Sequence, residues 1–571
     1  MIGVLSAFLY KKRRRRRLCF QETDRKMRSP AESRVRWAGN HREHSGAGQL
    51  NRFLTSAESS DRRLVSRLPR YCALSRNESE EKRHAFLFEC GWYRGNIPSR
   101  NVRFDVPGLF LSKAFGTERE TRESEEANME FMTGKKEKKV VELPQILNEC
   151  SEGEIVRVNG AIHSVRDMGE IAFVILRKRD GLLQTVFEKG TTKADFSKMR
   201  EETFVEAEGV LEKEERAPHG VELRLTEVKI LSAPEEPMPI AVSKWKMGAS
   251  LEARLDLRPL TLRNVRERAR FKIQEGIARA FREYLQGEGF TEIHSPKIGA
   301  KGAEGGANLF KLDYFHRPAV LAQSPQFYKQ MMVGVFDRVM EIGPVFRAEK
   351  HNTKRHLNEY TGLDFEMGYI DDFTDLMAME TGFLQYMVKL LKEDYAAELQ
   401  LLKVELPEVD KIPAVTFAEA KQLASEKYGT QIRNPYDLEP EEEHLIGRYF
   451  KEEYGSDFVF ITHYPSKKRP FYAMDDPDDE KVTLSFDLLF RGLEVTTGGQ
   501  RIHSYPQLMA KIEKRGMDTE GMEDYLNTFK HGMPPHGGLG IGLERMTMQL
   551  LGEENVREVS LFPRDLSRLV P

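Results

Sequence analysis

The run GGLGIGLER, Gly537 to Arg545, sets four glycines within six residues and then turns polar. Glycines so spaced suit a strand-to-helix turn on which a ribose or a phosphate can rest without obstruction by Cβ atoms. The run gains meaning beside GPVFRAEKHNTKRHLNEY, Gly343 to Tyr360, nearly two hundred residues earlier. Each segment supplies an arginine, Arg545 and Arg347, and the earlier one adds Arg355 and His356. A planar guanidinium stays ionised and grips two phosphate oxygens at once, so arginines arriving from two directions fit polyphosphate chemistry.

With 571 residues the chain has room for two or three domains, each able to bury its own core. No apolar run approaches the roughly 18 to 20 residues that span a bilayer, which predicts no membrane association. Cys19, Cys72, Cys90 and Cys150 form no CxxC pair and no zinc spacing, which fits a reducing compartment and a fold without structural metal. The net charge of −2 hides an asymmetry. Residues 1–128 carry 27 Lys and Arg against 16 Asp and Glu, a net of +11, which leaves −13 for the rest. This leader places its apolar patch before the basic run Lys11 to Arg17, the reverse of a signal peptide. Its composition predicts a disordered basic leader, residues 1–130. It reads either as a tail that adds affinity for a nucleic acid by counterion release or as an upstream frame that is not translated, with Met129 or Met132 as the natural start. The second reading is preferred.

From about Val140 the pattern becomes short alternating apolar runs, EIVRVNGAIHSV, IAFVILRKRDGLLQTVF, TFVEAEGVL and VELRLTEVKIL, at the spacing of a small β-barrel. An OB-fold over residues 136–236 is the expectation, any other small barrel the alternative. A proline-rich stretch near SAPEEPMPI and a linker over 237–254 follow. Over 255–571 long helical patterns alternate with strands, an α+β domain on an antiparallel sheet.

These segments resemble class II aminoacyl-tRNA synthetases. GPVFRAE to Tyr360 is similar to their motif 2, GGLGIGLER to motif 3, and FTEIHSPKI, with Pro296, to motif 1 at the homodimer interface. The resemblance implies ATP as substrate. Catalytic Arg347 would hold the α-phosphate and the carboxylate being activated, catalytic Arg545 and Arg355 the γ-phosphate, and Tyr360 would stack on adenine. Glu349, His356, Gly540 and Gly542 complete the expected ATP site. Asp487 and Glu494, seven residues apart in FDLLFRGLEVTTGGQR, suit two carboxylates on one Mg²⁺, with the Thr497 hydroxyl beside them. Glu494 thus serves both ATP and metal.

Within the class, LAQSPQFYKQ resembles the aspartate enzymes, in which its lysine, here Lys329, meets the substrate side-chain carboxylate. Arg501 in GGQRIH would complete the clamp, and Asp364, Gln326 and Glu304 would receive the ammonium group. Glu304 lies in GAEGGAN, whose glycines suggest a lid. From about residue 140 onward the chain is closer to archaeal and eukaryotic aspartyl-tRNA synthetases than to the bacterial form. In such relatives the barrel reads the anticodon, here through Phe173, Gln184 and Glu208. His163 in GAIH, with Pro218, resembles non-discriminating enzymes that also aspartylate tRNA(Asn) for a later amidotransferase. The resemblance thus implies tRNA(Asp) and tRNA(Asn) as partners and the cytoplasm as location. An asparaginyl-tRNA synthetase and a catalytically silent RNA-binding paralogue are the alternatives; Lys329 argues against the first, and the complete set of arginines and carboxylates against the second.

Overall fold

Period-two alternation builds the first body. The computed structural model of the protein describes residues 134–136, 138–302, 309–351 and 353–571; the leader and Glu304 lie outside them. A short helix α1 (Leu143–Asn148) precedes strands β1 (Ile155–Asp167), β2 (Ile171–Arg177), β3 (Leu182–Glu188), β4 (Phe204–Lys213) and β5 (Val221–Ser232). They close into a barrel in the order β1-β2-β3-β5-β4, with β3 and β5 parallel and the other pairs antiparallel. Val156, Val158, Val174, Leu183 and Leu223 fill it, and Leu143 and Ile146 of α1 join that core. The order and the closure are those of an OB-fold.

The second body is a sheet with helices against one face. Short strands β6 (Thr291–Glu292), β7 (Ile298–Gly299), β8 (Lys311–Tyr314) and β9 (Arg317–Leu321) lead into the hairpin β10 (Arg338–Phe346) and β11 (Glu359–Gly368). Then come β12 (Ala414–Thr416), β13 (Phe458–Thr462), β14 (Ser485–Phe490), β15 (Leu493–Arg501) and β16 (His536–Gly542). Eight of these form one sheet, β12-β13-β14-β15-β16-β11-β10-β6, antiparallel throughout its centre. The helices that matter here are α2 (Val265–Gly287), α3 (Gln326–Phe336), α4 (Thr374–Asp394), α5 (Phe417–Tyr428), α6 (Pro440–Tyr454) and α7 (Leu543–Leu551).

Alternation along the central strands sorts the two faces of this sheet. Leu363, Phe365, Leu539 and Ile541 turn to one side and pack with Ile273, Ile277 and Phe281 of α2 and with Phe383 and Leu384 of α4. Asp364, Glu366, Gly538 and Gly540 therefore face the other way. Barrel and sheet meet at Glu202, which is 2% exposed. Its carboxylate takes Nη2 of Arg177 from the barrel at 2.9 Å and Nη1 of Arg263 from the body at 2.9 Å. Among the described residues no helix is long and apolar enough to cross a membrane.

Candidate active site

The glycines of β16 make room on the open face of the sheet. Gly538 pairs with Glu366 and Gly540 with Asp364 across β11. A Cβ on Gly538 would stand 2.1 Å from Glu366 Oε2, and one on Gly540 3.0 Å from Asp364 Oδ1. At Gly538 no side chain fits, because the carboxylate already occupies the space. Above this floor opens a cleft of about 1140 Å³, bordered by the β10–β11 turn, β14, β15, β16 and the start of α7.

Three arginines border one part of the cleft. Arg347 follows β10 and lies over the Tyr360 ring, 5.7 Å from its centroid. Arg545, in the first turn of α7, donates from Nε to the Arg355 carbonyl at 3.3 Å and from Nη1 to the Glu494 carbonyl at 3.1 Å. Arg355 gives its Nη2 to both oxygens of Glu443, at 2.9 and 2.8 Å. His356 bonds Thr353 Oγ1 through Nδ1 at 2.6 Å. Burial first, then the charges of Arg545 and Arg355, push its pKa down to about 4, so the imidazole is neutral at physiological pH. Glu349 meets His351 at 3.1 Å. Gly540 and Gly542 border the same cleft, Gly542 as the residue that caps α7.

The predicted metal carboxylates share this cleft. Asp487 and Thr497 are register partners on β14 and β15, and Thr497 Oγ1 donates to Glu494 Oε1 at 3.1 Å. Burial raises Asp487 to about 6, against the pull of Arg469, whose Nη2 donates to it at 2.7 Å. Burial works the same way on Glu494, but Arg545 and then Arg469 outweigh it and hold that carboxyl low. Glu494 is thus ionised, with a hydroxyl oxygen beside it and a second carboxylate facing the same space. A hard-oxygen set this small fits Mg²⁺, which keeps most of its waters and takes substrate phosphates.

At the floor Lys329 of α3, 2% exposed, donates to Asp364 Oδ1 at 3.1 Å and to the Leu539 carbonyl at 2.8 Å, and stands 3.3 Å from Glu366 Oε2. Arg501 donates from Nε to Glu366 Oε1 at 2.9 Å and from Nη2 to the Gly538 carbonyl at 2.9 Å. Glu366 therefore holds both expected clamp cations. Burial disfavours its charge, yet Arg501 and then Lys329 more than offset this and keep its pKa low. Asp364, expected to meet the substrate ammonium, pairs here with Lys329, and burial pushes its pKa up. Gln326 is buried beside them, its Nε2 without a partner among the described residues. Behind Glu366, Gln330 links Tyr525 to His536, whose Nδ1 lies 2.9 Å from the Pro534 carbonyl.

On the barrel Phe173 and Gln184 are half-buried on neighbouring strands, and Gln184 Nε2 donates to Glu222 at 2.8 Å. Glu208 pairs with Arg157 across β1 and β4 at 2.7 Å. Pro218 is exposed in the turn between β4 and β5. His163 lies at the irregularity between Ile162 and Ser164 of β1 and is only 5% exposed. Burial, then Arg177, lowers its pKa, while Glu201, Glu202 and the Ser243 backbone oppose them. Its ring thus faces the segment that leaves the barrel.

Sequence reasoning missed Glu366, Arg469 and Glu443. Glu366 was within reach: it follows Asp364 by two residues in GLDFE and shares its face of the strand. Arg469 and Glu443 stand 18 and 88 residues from the groups they bind, in runs with no motif of their own.

Residues 250–566 match the family described as tRNA synthetases class II (D, K and N), and residues 156–231 match the OB-fold nucleic acid binding domain. An arginine-bordered cleft on an antiparallel sheet beside a five-stranded barrel defines the class, and the chain belongs to the class II tRNA synthetases of the D, K and N group. The chain is similar to an aspartate–tRNA(Asp/Asn) ligase of Deinococcus radiodurans, 46% identical over 436 residues, which covers 75% of this chain and 98% of that one. Among solved structures it is similar to asparaginyl-tRNA synthetase from Pyrococcus horikoshii complexed with asparaginyl-adenylate, at TM-score 0.69 and 31% identity over 74% of this chain and 97% of that one. It is also similar to an aspartyl tRNA synthetase from Entamoeba histolytica, at TM-score 0.67 and 32% identity over 76% and 93%.

Proposed function

We propose that the chain is an aspartate–tRNA ligase. The observation that carries this reading is the floor of the cleft, where Lys329 and Arg501 converge on Glu366 from two sides and border the cleft together. A substrate carboxylate there meets two cations. A neutral amide gains no such charge pairing beside Glu366, so asparagine binds less well than aspartate.

ATP lies along the arginines with its adenine on Tyr360. The α-carboxylate oxygen of aspartate attacks the α-phosphorus, the bond from that phosphorus to the bridging oxygen breaks, and pyrophosphate leaves. Arg347 holds the α-phosphate against the incoming carboxylate, Arg545 and Arg355 the γ-phosphate. Positioning and fixed charge carry the step, and no protein nucleophile is needed. Glu494, Thr497 and Asp487 would hold Mg²⁺, which neutralises phosphate charge when bound. A terminal ribose hydroxyl of tRNA then attacks the aspartyl carbonyl and AMP departs. Gln326, Asp364 and Glu304 receive the ammonium group.

Phe173, Gln184 and Glu208 meet the anticodon. His163 and Pro218 permit tRNA(Asn) as well as tRNA(Asp), the two tRNAs for which the Deinococcus radiodurans aspartate–tRNA(Asp/Asn) ligase is named. The enzyme works as a cytoplasmic homodimer joined through α2 and β6, and an amidotransferase would convert aspartyl-tRNA(Asn). The test is charging of purified tRNA(Asp) and tRNA(Asn) with labelled aspartate and labelled asparagine, with sedimentation for the dimer. Labelled asparagine on tRNA(Asn), and no aspartate on either, would overturn the assignment.

A further inference from the structure

Glu443 belongs to none of the three motif segments, yet it reaches the cleft from α6 and is 5% exposed. Both its oxygens accept from Nη2 of Arg355, and the backbone N–H of Glu494 points to its Oε2 at 3.4 Å. The helix that carries it is fixed on two sides. Lys421 of α5 donates to Glu442 Oε2 at 2.6 Å. The turn between β14 and β15 packs so closely that a Cβ on Gly447 would stand 2.4 Å from the backbone nitrogen of Gly492. Glu443 is thus an anchor held by its helix, and Arg355 reaches it from the β10–β11 turn.

The rest of the Arg355 fork shows what the anchor is for. Its Nε is buried and has no hydrogen-bond partner among the described residues. A buried guanidinium N–H without an acceptor is costly, and an anionic oxygen supplied by a ligand removes that cost. With Nη2 held on Glu443, the rest of the fork, on a side chain that borders the cleft, is left for that oxygen.

We propose that Glu443 is a positioning residue for ATP, orienting the fork of Arg355 toward the terminal phosphate and tying it to the strand that carries Glu494. The proposal rests on the ATP-dependent reading above and names a residue that the resemblance does not assign.

The experiment compares Glu443→Gln, Arg355→Met and the double variant in aspartate-dependent pyrophosphate exchange, with ATP affinity measured separately by calorimetry. Glu443→Gln is expected to raise both the KM and the Kd for ATP roughly tenfold, the scale of one charge-assisted hydrogen bond, and to change kcat and the KM for aspartate less than about twofold. The double variant should bind ATP no more weakly than Arg355→Met alone. Glu443→Asp, which keeps the charge at a shorter reach, should fall between wild type and Glu443→Gln. Because Glu443 is buried, Arg355→Lys provides a second test: a lysine has one shorter-reaching nitrogen in place of the fork, so Glu443 and a phosphate compete for the same atom and its KM for ATP should rise similarly. Unchanged or tighter ATP binding in Glu443→Gln, or additive losses in the double variant, overturn the proposal. Absence of aspartate-dependent exchange in the unaltered enzyme would instead overturn the ligase reading.

Discussion

Lys329→Met removes the buried ammonium at the floor of the cleft and keeps nearly the same length of side chain. Its Nζ serves two carboxylates and two carbonyls, Asp364 at 3.1 Å, Glu366 at 3.3 Å, Leu539 at 2.8 Å and Phe365 at 3.4 Å. Two effects follow. Aspartate loses one of its two cations in a site closed to water, a loss of about 4 kcal/mol or roughly a thousandfold in kcat/KM for aspartate. The KM for ATP, set on other side chains, should change less than about threefold. The fold is affected as well, because breaking a buried pair from one side leaves the other charges uncompensated, at about 3 to 5 kcal/mol. In the variant Asp364, whose pKa burial already raises, loses the cation that opposes the rise, so its folded value lies further above the unfolded one. Such a group favours the fold at low pH, and that support is lost as pH rises through the folded value. The variant should therefore lose stability from pH 5 to pH 8 more steeply than the wild type. Pyrophosphate exchange against aspartate and ATP concentration, with thermal unfolding at several pH values, measures all of this. Near-normal turnover at low aspartate would remove Lys329 from the substrate site and refute the reasoning.

Pro218→Lys, on the exposed turn between β4 and β5, should reduce aspartylation of tRNA(Asn) about tenfold and leave tRNA(Asp) nearly unchanged, since a single base contact or stack is worth about 1 to 3 kcal/mol; equal losses on both tRNAs in charging assays would mean that the turn acts only through the fold. Gly538→Ala forces a methyl group onto Glu366, 2.1 Å away in the present geometry, and should lower the unfolding midpoint and raise the KM for aspartate, whereas a neutral result would refute the close approach. Glu380 of α4 is fully buried, accepts from Thr496 Oγ1 at 2.5 Å, and burial raises its pKa to about 8. A folded value above the unfolded one stabilises the fold below the unfolded pKa, a contribution lost as pH rises toward 8, so Glu380→Gln should gain stability over wild type at pH 8 relative to pH 4. Denaturant unfolding at both pH values checks this, and a pH-independent difference would show that Glu380 does not titrate with folding.

How much could be read from the chain depended on how far apart the contributing residues lie. Motifs 2 and 3 each fit within twenty residues, and strand alternation there already places side chains on faces, which is why Asp364 and, in principle, Glu366 are legible. The barrel followed from period two and turn spacing alone. Arg469 and Glu443 were not legible, since sheet order and the docking of α6 bring them to their partners. His163 shows a third limit. Inward residues Val156 and Val158 predict that odd-numbered positions of β1 face out, but the irregularity at Ile162 and the chain near Ser243 cover the ring. A pattern rule for an isolated strand carries no information about the segment that later folds across it.

Glu202 joins an arginine of the barrel to one of the catalytic body, and release of Arg263 would leave the buried carboxylate on Arg177 alone. A hinge at that point would be expensive to open. The barrel therefore stands at a set distance and angle from the cleft, as one jaw of a caliper stands from the other. A tRNA whose anticodon and acceptor end do not match that span must bend to be charged, so overall dimension becomes a criterion of selection alongside the bases that are read.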